Sequence, residues 1–141
     1  MLAVAVLAAC GSVGGPADET VGRVTYEVSG GFTGWDRILT VEPDGSTRLQ
    51  VVRGPSPTGE TRQVERATLE RLHSLVSDPD FAQLEAAYLP PPGGADLQDY
   101  TITVELGGRT IKTMSRDGAN PPPILREVLS VLNGILITAA R

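Results

Sequence analysis

The chain has 141 residues, 40% of them hydrophobic, with 17 acidic side chains against 12 Lys and Arg and a formal net charge of −5. That length leaves room for one domain of ordinary size around one core. The acidic balance, with no basic run or aromatic-basic cluster, excludes a phosphate-binding surface and with it a nucleic-acid partner. A single cysteine excludes an internal disulfide framework, so stability has to come from the core.

That cysteine, Cys10, closes an apolar stretch at Leu7-Ala8-Ala9-Cys10 and is followed by Gly11-Ser12. The pattern resembles a bacterial lipoprotein signal, in which a peptidase cuts before the cysteine and its thiol carries a diacylglycerol. The resemblance implies a signal at residues 1–9, lipid attachment at Cys10 and a membrane-anchored protein of the cell envelope, outside the cytoplasm. Acyl chains burying methylenes at about 0.8 kcal/mol each supply the hold. The apolar run is too short to span a bilayer. Residues 1–9 lack the positively charged start of an export signal, which a translation start further upstream would supply. The alternative is a frayed apolar N-terminus on a cytoplasmic protein, with Cys10 a buried or reactive thiol.

Residues 10–22 are small, polar and rich in Gly and Pro, the composition of a flexible tether. The fold is expected from Arg23 to Ile137. Val24, Tyr26 and Val28 alternate with Arg23, Thr25, Glu27 and Ser29, the period of two that marks a half-buried strand. Gly30-Gly31-Phe32-Thr33-Gly34-Trp35 then predicts a loop or wide hairpin turn. Asp36 to Glu42 and Thr47 to Val51, joined by Pro43-Asp44-Gly45, read as a hairpin. An exposed connection at Gly54 to Gly59 leads to a helix over Glu65 to Ser77 with Leu69, Leu72, Leu75 and Val76 on one stripe.

Asp78-Pro79 suits the N-cap and first position of a short second helix, with Phe81, Leu84 and Tyr88 turned to the core. Leu89 to Asp96, with three prolines and two glycines, predicts a second long loop. Tyr100, Ile102, Val104 and Leu106 alternate again, and Gly107-Gly108 turns the chain into a partner strand over Arg109 to Met114. After Asn120-Pro121, Leu125, Val128, Leu129 and Leu132 fall at helical spacing up to a C-cap at Asn133-Gly134, and Ile135 to Ile137 reads as a short terminal strand. The expected class is α+β: a mainly antiparallel sheet from two hairpin regions with two main helices on one face.

No constellation for catalysis emerges. His73 is the only histidine and flanks the stripe of the first helix, the position of a boundary residue rather than a general base. No carboxylates cluster at metal-ligand spacing, so neither a metal nor a cofactor is expected. Asp78 and Asp80 are explained by capping and the helix dipole, and Asp96 and Asp99 read as solvating charges. The glycines at 30–34 lack the helix entry and Lys of a phosphate loop. The chain reads as a binding protein and not as an enzyme.

The order of a first strand entering Ser29-Gly30-Gly31-Phe32-Thr33-Gly34, a hairpin, a Leu-rich helix, the strand entry Asp99-Tyr100-Thr101-Ile102, Arg116-Asp117 and Pro121 to Leu125 resembles the emfourin family. The likeness spans about Arg23 to Leu132; the lipoprotein start and the Pro90 to Gly94 insertion are departures from it. The resemblance implies a protein inhibitor of thermolysin-like zinc metalloproteases, acting by steric occlusion of a cleft that favours bulky apolar side chains. On that reading Gly31, Phe32, Thr33, Gly34 and Trp35 make the contact and Arg37, beside Asp36, pairs at its rim. Phe32 and Trp35 as core plugs, with the glycines only making the turn, is the other reading of the same loop. An envelope adaptor or ligand-binding module, using this loop or the proline-rich one, is the rival function.

Overall fold

The computed structural model describes residues 19–55 and 61–141. The leader, Cys10 and the tether up to Asp18 lie outside them, as does most of the Gly54 to Gly59 connection. Strands β1 (Val21–Gly30), β2 (Asp36–Val41), β3 (Ser46–Arg53) and β4 (Arg62–Gln63) precede helices α1 (Arg66–Val76) and α2 (Pro79–Ala82). Strands β5 (Ala87–Tyr88), β6 (Gln98–Leu106) and β7 (Arg109–Arg116) precede helix α3 (Pro123–Ala139). The seven strands form one sheet in the order β4-β3-β2-β1-β6-β7-β5, antiparallel except for the pairing of β5 with β7. The class is α+β, with a mostly antiparallel sheet and three helices.

Strand pleating sorts the side chains. Leu49, Leu39, Tyr26, Ile102 and Thr113 stand opposite one another across five strands, and Thr47, Val41, Val24, Val104 and Ile111 form the next row. Leu72 and Val76 of α1, Phe81 of α2, and Leu125, Val128, Leu132, Ile135 and Leu136 of α3 complete the buried cluster against them. Thr25, Glu27, Thr101 and Thr103 point to the other face and stay partly or fully exposed. Asp78 caps α2 as its sequence context predicts, accepting from the Asp80 amide at 2.8 Å, and Phe81 is fully buried while Leu84 and Tyr88 pack against the core from its edge.

Three expectations change. Regular structure begins at Val21, inside the expected tether, because Val21 pairs with Leu106 and is buried. A register shift between Val21 and Val24 puts two inward residues three apart, so the period of two read from Val24 does not extend back to it. At the other end, Asn133-Gly134 is no C-cap and residues 135–137 are not a strand: α3 continues to Ala139, because Ile135 and Leu136 are buried on its core-facing side. Asp99 is no plain solvating charge, since Arg116, its cross-strand neighbour, donates to both its oxygens at 2.7 and 3.0 Å. The guanidinium holds the Asp99 carboxyl below the usual range.

Tyr26, at the sheet centre, is wholly buried. Its hydroxyl donates to Asn133 Oδ1 of α3 at 2.7 Å, and its ring stacks on Tyr100 with centroids 6.5 Å apart. Burial pushes the Tyr26 hydroxyl well above the ordinary value, and burial with the hydrogen bond to Asp117 pushes Tyr100 up to about 12. An unfolded chain ionises both from an ordinary value of 10.0. Above that pH the folded state therefore holds more protons than the unfolded one, and stability falls as pH rises from about 10 toward 12. Tyr26→Phe is expected to cost about 1–2 kcal/mol at neutral pH through the unpaired Asn133 and to flatten that alkaline loss. Urea unfolding at pH 8 and pH 11 reads both effects.

Candidate functional site

The β1–β2 connection is a tight turn held at both feet. Gly34 N–H donates to the Gly31 carbonyl at 3.1 Å, which places Phe32 and Thr33 at the two central positions of a β-turn. Gly31 N–H donates to the Leu97 carbonyl at 3.1 Å, and Gly30 N–H to Asp36 Oδ1 at 3.3 Å. Gly30 has φ of 81°, and a Cβ there would stand 2.9 Å from the Leu97 carbonyl oxygen, so both backbone conformation and close approach require glycine.

The two aromatics part company. Phe32 is 89% exposed at the turn apex, which removes it from the core-plug reading. Trp35 is 37% exposed and lies on the Gly54 backbone, where a Cβ would meet its Cγ at 2.9 Å. The Arg37 guanidinium carbon stands 5.7 Å from the Trp35 ring centroid, within cation–π range. Thr33 is exposed beside Phe32, and Gly34 has φ of 59° with open space around it.

Arg37 is not the rim residue its sequence position beside Asp36 predicts. Adjacent strand residues point to opposite faces, and Arg37 shares the inward row with Val28 and Val51. Its Nε is buried without a hydrogen-bond partner among the described residues. Asp36 turns the other way and stands 4.0 Å from Arg53, an internal pair rather than a free rim charge.

Folding adds neighbours that the chain order hides. Leu97, at the end of the proline-rich segment, is bonded to the aromatic turn through the Gly31 amide. That end is fastened to the β7–α3 turn: Gln98 N–H donates to Asp117 Oδ2 at 3.0 Å, Asp117 N–H donates to the Gln98 carbonyl at 2.9 Å, and Tyr100 Oη lies 2.9 Å from Asp117 Oδ1. Gly54 and Leu97 are therefore parts of the site that no motif marks, and Asp117, which belongs to the Arg116-Asp117 piece of the resemblance, gave no sign of its bond to Gln98; the glycine before Pro55 reads simply as a turn.

His73 is half-buried on α1, and burial alone pushes its pKa down. Among the described residues no group of three or more His, Cys, Asp or Glu side chains stands together to hold a metal, and no helix is long and apolar enough to cross a membrane. What the geometry offers is an exposed aromatic on a braced turn.

The bracing is testable through the chain's single tryptophan. Gly54 has φ of 121°, so Gly54→Ala combines backbone strain of about 1–3 kcal/mol with a clash against Trp35. The variant is expected to show red-shifted Trp35 emission with unchanged far-UV circular dichroism. Among known proteins, no family model matches this chain and no curated protein does.

Proposed function

We propose that this chain is a lipid-anchored envelope protein that inhibits a thermolysin-like zinc metalloprotease by steric occlusion, with Phe32 as the anchor side chain. The observation that carries the reading is the exposure of Phe32 at 89% on a turn whose feet are tied to Leu97 and Asp36. A large apolar side chain left in water on a braced turn is what a cleft-filling contact uses, since little ordering entropy remains to be lost on binding. Peptide substrates lie extended in a protease cleft; the 31–34 turn cannot open into that shape without losing its own bonds, which is how such a loop fills a cleft uncut.

The frame for this reading is two hairpin regions with two main helices on one face. The described chain enters at the end opposite the aromatic turn: Glu19 pairs with Arg109 at 2.8 Å, and Gly107 N–H donates to the Thr20 carbonyl. β1, ten residues long, separates that entry from Phe32 by roughly 30 Å at about 3.3 Å per residue. A lipid on Cys10 would therefore hold the domain by one end and present the aromatic turn at the other. Gly31, Thr33, Gly34 and Trp35 complete the contact, and Arg37 acts on it through Trp35.

Inhibition of a panel of thermolysin-like proteases by the soluble domain from Glu19 onward tests the function, with saturable one-to-one inhibition expected. Phe32→Ala is expected to weaken inhibition about 30-fold, the loss of a central hot-spot side chain, without changing the unfolding midpoint. Cys10→Ser is expected to move the full-length protein from the membrane to the soluble fraction while leaving inhibition unchanged. A folded domain that inhibits no panel member turns the reading to an envelope adaptor using the same turn.

A further inference from the structure

At the end of the fold away from the aromatic turn, a trough of about 660 Å³ opens between the first turns of α1 and the last turns of α3, bordered by β4 and by Thr47 of β3. That volume is within the range of small-molecule sites. Its apolar wall is Val64, Ala67, Val131, Gly134, Ile135 and Ala139, with no aromatic ring. Of the four hydroxyl side chains that line it, two are engaged within the chain, Thr47 Oγ1 donating to the Arg62 carbonyl at 2.8 Å and Thr138 Oγ1 to the Gly134 carbonyl at 3.0 Å, and Thr68 and Ser130 are the other two. An aliphatic wall without an aromatic ring to stack on suits a flexible alkyl chain better than a planar guest.

Gly134 sharpens the case. Inside a helix glycine costs about 1 kcal/mol relative to alanine, and a Cβ on Gly134 would meet nothing within 4 Å. Close packing does not require glycine there. Its missing side chain keeps the trough clear.

Charge selects the guest's polar end. Arg62 and Arg71 line the trough. Arg62 makes no ion pair among the described residues, and Arg71 stands 3.6 Å from Glu127 with both side chains more than half exposed. Among the described residues Glu65 is the only acidic one in the lining. In a chain of net charge −5, two guanidiniums beside an aliphatic trough are complementary to a single carboxylate on an alkyl tail. We propose that this trough binds a free single-chain fatty acid, its tail along Val64, Val131 and Ile135 over Gly134 and its carboxylate on Arg62 with Arg71 beside it. The proposal is independent of the aromatic turn.

Calorimetric titration of the full chain with dodecanoate below its micelle concentration tests it, alongside dodecanol and phosphatidylglycerol vesicles. One-to-one saturable binding of dodecanoate with a raised unfolding temperature is expected. Gly134→Leu fills the trough with a good helix former, and its affinity is expected to fall at least about tenfold, with Ala67→Leu as the second filling variant should the first fail to fold. Arg62→Gln is expected to weaken dodecanoate about tenfold through the lost charge-assisted hydrogen bond and to leave dodecanol unchanged. Absence of saturable binding by the folded chain, equal binding by a folded trough-filling variant, or binding to vesicles without binding to dodecanoate would each overturn the proposal.

Discussion

Everything in this fold hangs on β1. It pairs with β2 on one side and β6 on the other, so it is the strand that joins the β2–β3 hairpin to the β6–β7 hairpin. Beyond the bulge, its inward side chains, Val24, Tyr26 and Val28, are each at most 2% exposed. A strand with neighbours on both edges and a helix layer on one face has a strictly specified register, because a slip of one residue would send those three into water and Glu27 into the core. Tyr26 adds direction to that constraint. A buried hydroxyl must find a partner, and the bond to Asn133 ties the sheet centre to α3 at one point along the helix.

The same strand carries the functional hypothesis at its far end. Where β1 leaves the sheet, its side of the turn is braced by Asp36 and by the Leu97 carbonyl, so the turn inherits the rigidity of the sheet rather than behaving as a free loop. Trp35 and Arg37 extend this inward. The guanidinium lies within reach of the Trp35 ring on one side and close enough to Tyr26 to oppose the rise in its pKa. A cation whose buried Nε has no partner among the described residues is costly to hold; the Trp35 ring face offsets part of that cost. Exposed Phe32 therefore sits on a turn whose neighbours, Trp35 and Arg37, are tied inward to the sheet.

Legibility in the sequence followed the range of the forces involved. The alternations at Val24 to Val28 and Tyr100 to Leu106, the Asp78-Pro79 cap and the glycine turn at 30–34 are set by neighbours within a few residues, and each is where the pattern places it. The two-residue strands β4 and β5 have no period to read; pairing with β3 and β7 alone makes them strands. Asn133-Gly134 carries a helix stop signal, yet burial of Ile135 and Leu136 outweighs a local preference worth about 1 kcal/mol. Val21 was hidden by a bulge, and the turning of Arg37 to the helix side by the pairing of its strand.

By itself the sequence determined the alternating and helical stripes, the places where the chain must turn, and the acidic, histidine-poor composition that turns the functional reading toward binding. Those follow from covalent geometry, side-chain chemistry and the need to bury apolar surface, all local or compositional. Only the tertiary structure decided that Leu97, where the proline-rich loop ends, is bonded to the aromatic turn, that Phe32 is exposed while Trp35 rests on Gly54, and that α1 and α3 leave an aliphatic trough over Gly134. The physical reason is that these relations join residues dozens of positions apart, through contacts that exist only once the strand order has been chosen. No local preference encodes a distance across the sheet.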